Sequence, residues 1–186
     1  MGLNEDVGRR LRALRQDADV SLSELARRSG VGKGTLSELE SGRRNPTLET
    51  LYALATALGR PLSAVLSDPP PGGGPARYGA EVSGSAVTAV LLERYEDGEA
   101  VTDVFRVTIR AGAVQESDAH VPGTSESLMV LAGTAVVGRP GDLRTVRPGA
   151  SVRWRADAPH VYSAPHGDVQ GVLFVRCPVA GEADGG

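Results

Sequence analysis

The sequence predicts two domains, an all-α unit of five short helices followed by an all-β sandwich or barrel. Three observations carry this. Residues 5–66 place apolar side chains at helical steps of three and four, interrupted by glycine and proline. Residues 67–79 read SDPPPGGGPARYG, which suits neither a helix nor a central strand. From residue 86 onward, short runs rich in β-branched residues alternate apolar and polar positions, with Gly, Pro and Asp between them.

The 186 residues, 40% of them hydrophobic, fit one or two small domains. No apolar run approaches the roughly 18 residues of a membrane-spanning helix. The opening MGLNEDVGRRLRALRQ is charged and lacks the apolar stretch of a signal peptide. The single cysteine, Cys177, excludes an internal disulfide framework, and the expected location is the cytoplasm. The net charge of -3 does not by itself mark a nucleic-acid binder. It hides a split, however: residues 1–60 carry ten basic and eight acidic side chains, residues 61–186 ten and fifteen.

Helices are expected near 5–17, 22–29, 33–41, 47–58 and 61–66. Val7, Leu11 and Leu14 share one face of the first; Leu48, Leu51, Leu54 and Leu58 form the stripe of the fourth. Ser21 followed by Glu24 is a capping-box pattern opening the second helix. Leu22, Leu25 and Ala26 form its inward face, and Ala26 is small enough for a close helix crossing. Gly30 ends it, and Val31 plugs the core at the turn. The third helix turns Leu36 and Leu39 inward and Lys33, Gly34, Thr35, Ser37 and Glu38 outward. Gly42, Pro46 and Gly59-Arg60-Pro61 supply the later stops.

The boundaries follow: a helical domain over 1–67, a Pro/Gly linker over 68–80, a β domain over 81–180 and a disordered tail over 181–186. In the β domain, VTDVFRVTIR (101–110) puts Phe105, Val107 and Ile109 on one face and Arg106, Thr108 and Arg110 on the other.

Two short helices joined by a tight turn can present the second to a DNA major groove. Hydroxyl, amide and Lys groups at its start meet base edges, and backbone N–H groups and Arg side chains hold phosphates. The pattern through Arg15, SLSELARRSGVGKGTLSELESG, Pro46-Thr47 and LYALATALG resembles the Cro/repressor-type helix-turn-helix domains of the XRE family. The resemblance implies that Lys33, Gly34, Thr35, Ser37 and Glu38 lie on the recognition helix. Arg43 and Arg44 would then meet the DNA backbone. It also implies a structural ion pair between Arg15 and Glu40. The expected partner is a double-stranded DNA operator, bound by a homodimer reading a two-fold site.

The β domain carries Asp118-Ala119-His120, then Glu126 and Gly133, and later Pro148-Gly149 and Pro159-His160. Alternating positions on an extended strand would turn Asp118 and His120 the same way. Two imidazoles with one or two carboxylates make a divalent transition-metal site; iron, manganese, nickel and zinc all suit such a set. A metal-free barrel with a polar pocket uses the same residues. The order of these groups over roughly 85–178 resembles the two cupin motifs, which implies a double-stranded β-helix, or jelly-roll, barrel. His120, Glu126 and His160 carry over as ligands. Asp118 stands where the family has the first His of its pair, and Ala164 stands where an Asn often follows the last. By face, Phe105, Met129, Trp154, Tyr162 and Phe174 are the candidates for lining an effector pocket. His166 reads as a solvated turn residue and Cys177 as a buried small one.

The function expected is a transcriptional regulator, not an enzyme. Its barrel senses a small-molecule effector, directly or through a metal, or senses the metal itself. The alternative is a mononuclear non-haem iron oxygenase or epoxidase of the same two-domain type. No Ser-His-Asp or Cys-His constellation and no nucleotide fingerprint stands beside the candidate metal set, and Gly72-Gly73-Gly74 lacks the Lys-Ser/Thr of a phosphate-binding loop.

Overall fold

Apolar steps in the first 66 residues wind into five helices in the computed structural model, which describes residues 3–67, 79 and 81–179. They are α1 (Leu3–Asp17), α2 (Leu22–Ser29), α3 (Lys33–Glu40), α4 (Leu48–Ala57) and α5 (Ser63–Leu66). Local chemistry sets their ends. Ser21 Oγ accepts the Glu24 N–H at 3.1 Å and Thr47 Oγ1 accepts the Thr50 N–H at 3.2 Å. The Glu24 carboxylate bonds Arg27 and Arg28, so the capping box is made in its first half. Gly30 closes α2 at φ 70°, a left-handed conformation that a residue with a β-carbon rarely adopts. Val7, Leu11, Leu25, Leu36, Leu39, Leu48, Leu51 and Leu54 are buried, and Val31 packs against them at the turn. Leu58 lies one residue past α4 and still packs on this core.

The strands are β1 (Glu81–Ser83), β2 (Val87–Glu96), β3 (Ala100–Ile109), β4 (Val114–Ser117), β5 (Ser125–Ala132), β6 (Ala135–Arg139), β7 (Asp142–Val146), β8 (Ser151–Arg155), β9 (His160–Ser163) and β10 (Val169–Pro178). They form two antiparallel sheets that face each other, with orders β1-β2-β3-β10-β5-β8 and β4-β9-β6-β7. β10 runs along β3 from Val169 opposite Ile109 to Pro178 opposite Ala100, and along β5 on its other side. Phe105, Val107, Ile109, Leu128, Val130, Leu173 and Val175 fill the interior. Gly133 turns the chain from β5 to β6 at φ 80°, where a β-carbon would fall 2.4 Å from the Asp168 carbonyl oxygen.

The helical unit is packed directly on the barrel. α4 and α5 lie against β2, and one continuous apolar cluster runs from Leu51 through Leu48, Leu62, Val87 and Ala89 to Phe105 and Leu173. Among the described residues, polar contacts cross the seam at Glu49 and at Asp103. Glu49 Oε1 accepts the Ser85 N–H at 2.6 Å, and Asp103 Oδ2 accepts the Ser63 N–H at 3.0 Å. The expected linker over 68–80, apart from Gly79, and the expected tail over 181–186 lie outside the described residues. No helix among the described residues is long and apolar enough to cross a membrane.

Candidate functional site

The α2–turn–α3 segment is the first site. Lys33, Gly34 and Ser37 are exposed, and Thr35 and Glu38 are half-buried beside them. Arg43 and Arg44 follow α3, both exposed, and Arg44 Nη1 donates to Glu38 Oε2 at 3.1 Å. Gly32 precedes α3 without a side-chain cap bond, which leaves the helix start open to an anion. The helix itself is firmly held. Arg15 Nε and Nη2 donate to the two Glu40 oxygens at 2.6 and 2.9 Å, and Arg15 Nη1 donates to the Val20 carbonyl at 3.0 Å. The Glu40 bonds raise the Arg15 pKa above its ordinary value. One side chain thus ties α1, the turn before α2 and the end of α3.

The second site lies inside the barrel. His120 follows β4, and its backbone N–H donates to the Ala156 carbonyl at 2.9 Å. Glu126 sits on β5 opposite Trp154 of β8, and His160 opens β9 opposite Ser117 of β4. Their nitrogen and carboxylate oxygen atoms all lie within 4.8 Å of one another. The residues are 7%, 1% and 1% exposed, so three polar groups face each other in an apolar interior. His120 Nε2 donates to Glu126 Oε1 at 3.0 Å. His160 Nδ1 donates to the Ala158 carbonyl at 3.0 Å. In the neutral ring that bond puts the proton on Nδ1 and turns the Nε2 lone pair toward the centre. This Nε2 is buried without a hydrogen-bond partner, 3.3 Å from Glu126 Oε2. Two acceptors facing each other call for a cation or a bridging proton between them.

The surroundings keep Glu126 ionised. Burial pushes its carboxyl up, but the His120 hydrogen bond, the charges of His160 and His120 and the Tyr162 hydroxyl outweigh that and hold it below its ordinary value. The Tyr162 hydroxyl donates to Glu126 Oε2. Burial, then the Glu126 charge, push the Tyr162 pKa far up, so it stays a proton donor. Trp154 Nε1 is a second buried polar atom near the centre without a hydrogen-bond partner; the Trp154 ring lies 6.2 Å from His160 and 5.7 Å from Tyr162, centroid to centroid. Two imidazoles, a carboxylate and an orphaned lone pair fit a divalent metal.

The other sequence candidates divide by face. Phe105 and Tyr162 line a narrow cavity in the barrel interior, together with His120 and Leu173. Met129 and Phe174 do not face it. Glu126, Leu128 and Val130 take the inward positions of β5, which leaves Met129 43% exposed. Leu173 and Val175 take those of β10, and Phe174 lies in an outer groove with Tyr95, Arg153 and Arg176. Asp118 is not brought to the centre. β4 ends at Ser117, so the alternation that would have aligned Asp118 with His120 is broken, and Asp118 is exposed. His166 is exposed and Cys177 buried.

Sequence reasoning missed Tyr52. Its ring, on α4, stacks on the His120 imidazole with centroids 4.2 Å apart and planes 8° from parallel. It also missed Gln115, buried on β4, whose Oε1 accepts the N–H groups of Ala86 and Val87 at 3.2 and 3.0 Å. Tyr52 stands next to Leu51 in an ordinary helical stripe, and no local signal marks its partner in the other domain.

Residues 11–65 match the HTH_3 helix-turn-helix family. The HTH-type transcriptional regulator SutR of Escherichia coli is 32% identical over 152 residues, covering 82% of this chain and 83% of that protein. A solved HTH_3 family transcriptional regulator from Vibrio cholerae has the same fold, with a TM-score of 0.77 at 23% identity over 95% of this chain and 98% of the other. A solved cupin domain of an XRE family regulator from Enterobacter cloacae is 26% identical, with a TM-score of 0.44 over 48% of this chain and 95% of that domain.

Proposed function

We propose how the chain works from the family it belongs to, the HTH-type transcriptional regulators with an HTH_3 helix-turn-helix domain. It is a DNA-binding regulator. The start of α3, with Lys33, Gly34, Thr35, Ser37 and Glu38, enters the major groove of a double-stranded operator, and Arg43 and Arg44 contact phosphates. The barrel centre of His120, Glu126 and His160 binds a divalent metal of the iron, manganese, nickel or zinc class. A small-molecule effector binds at that centre, and Phe105, Tyr162 and Trp154 form the wall around it.

The observation that carries the barrel reading is the bare, buried Nε2 of His160 facing the Glu126 carboxylate. A bound metal would supply open coordination positions for oxygen or nitrogen donors of an effector. The chain's own residues do the rest. Ala158 fixes the His160 tautomer, Tyr162 orients Glu126, and the apolar wall excludes water. An effector with different affinity for two arrangements of the helical domain shifts operator occupancy. The regulator works as a homodimer, since two heads double the phosphate contacts and match a two-fold site. Met129 and Leu131, exposed neighbours on the outer side of β5, offer apolar surface for that dimer.

Selection of duplexes from a random pool by the full chain tests the DNA reading. A two-fold motif should be enriched by the wild type and lost with Lys33→Ala. A pool that stays random overturns it.

A further inference from the structure

The triad is closed off by a side chain of the other domain. A cleft of about 460 Å³ lies between α2 and α4 on one side and β4 and the segment after it on the other. Arg28, Glu49, Asp118, Tyr52 and His120 are among its walls. Two much smaller cavities, each about 10 Å³, lie further in. One reaches Phe105 and Tyr162 in the barrel interior, and the other reaches Thr124 and Cys177. Each has room for about one water molecule. Tyr52 and His120 line all three spaces. The stacked pair is therefore the partition between an open cleft and a nearly filled interior.

We propose that this cleft is the route by which a small molecule reaches the barrel centre, and that Tyr52 is the gate. Carried by α4, Tyr52 must leave His120 before any ligand larger than water can pass from the cleft to Glu126 and His160, which do not line it. A helix cannot shed one stacked ring freely when its neighbours are pinned. Glu49, three residues earlier on α4, holds Ser85 of the barrel, and Ser63 at the start of α5 is held by Asp103. Opening the gate therefore loosens the seam, and the DNA-binding domain registers that the centre has been entered. This rests on reading the triad as the regulator's ligand centre; the test below needs neither DNA nor metal.

The chain's three histidines supply the assay. His120 is the barrel-side half of the gate, covered by Tyr52, His160 lies behind it, and His166 is exposed in a turn as an internal control. Diethyl pyrocarbonate is added to the full-length protein, and the carbethoxylation rate of each histidine is read by peptide mass spectrometry. In the wild type His120 should react at least about tenfold more slowly than His166. Tyr52→Ala should bring His120 to within a few-fold of His166, while Tyr52→Phe, which keeps the ring, should leave it slow. Glu49→Ala keeps Tyr52 but removes a seam bond. It should speed both His120 modification and hydrogen exchange at the Ser63 amide, at the other end of the seam.

A wild-type His120 as reactive as His166 overturns the gate. So does a folded Tyr52→Ala protein, judged by its thermal melt, in which His120 stays slow. If that variant does not fold, Glu49→Ala decides: unchanged His120 reactivity and Ser63 exchange overturn the link between gate and seam. A working gate in a protein that takes up no cobalt(II) would remove the metal reading and leave this one standing.

Discussion

Glu40, the last residue of α3, is gripped by Arg15 of α1 through two hydrogen bonds of 2.6 and 2.9 Å, and both side chains are largely buried. A carboxylate in that position is costly once its partner is removed. Arg15→Ala is expected to destabilise the helical domain by about 2 kcal/mol and to weaken operator binding, although Arg15 is not proposed to touch DNA. Urea unfolding followed by far-UV circular dichroism reads the first effect. Replacing Arg15 and Glu40 together by Met should cost less than Arg15→Ala alone.

Arg43 and Arg44 are exposed just past α3, beside the proposed DNA-reading face. If they meet phosphates, each alanine substitution lowers affinity for all sequences and reduces the salt slope of log K by about 0.9 for each phosphate no longer neutralised. Ser37→Ala, at a proposed base-reading position, should leave the slope alone and narrow the gap between operator and random duplex. Titrations over a salt series separate the two behaviours.

Asp103 gives the seam a pH dependence. It is 1% exposed, and burial pushes its carboxyl above the ordinary value of 3.8, against the Ser63 hydrogen bonds and the Arg94 charge and with the Glu96 charge. A carboxyl raised in the folded state binds its proton more tightly there than in the unfolded chain. Its contribution to stability is therefore full below the ordinary value and is lost as pH rises through the elevated one. Asp103→Asn keeps an oxygen to accept the Ser63 N–H and removes the charge. Thermal melts should show it more stable than wild type at neutral pH, with a flatter profile on the acid side. A variant less stable than wild type at neutral pH would contradict this.

Native mass spectrometry after incubation with cobalt(II) tests the barrel centre. One ion per chain is expected on the wild type and none on His120→Ala or Glu126→Gln. Tyr162→Phe leaves all three ligands but frees the Glu126 oxygen that the hydroxyl orients. Its affinity should fall by about tenfold. Full cobalt uptake by Glu126→Gln would remove Glu126 from the set.

Much of this was legible in the sequence because much of it is local. The five helices fall within two residues or so of their expected limits, since Ser21, Thr47 and Gly30 act on their own neighbours. Phe105, Val107 and Ile109 were readable because polar residues separate them. Met129 and Phe174 were not, because SLMVLA and VLFVRC are apolar on both faces and alternation cannot say which side is inside. Asp118 was misaligned because nothing in VQESDAH marks the end of β4 after Ser117. The seam of Glu49, Tyr52, Ser63 and Asp103 depends on partners 36 to 68 residues away in the chain. Only the fold brings them together.

The central claim is sequence-specific DNA binding by α3, and the most direct measurement is one ratio. Fluorescence anisotropy at physiological salt would compare the affinity of the full chain for its selected duplex with that for a scrambled duplex of equal length. The expected ratio is at least about a thousandfold, falling steeply in Lys33→Ala. Equal affinity for the two duplexes would contradict it.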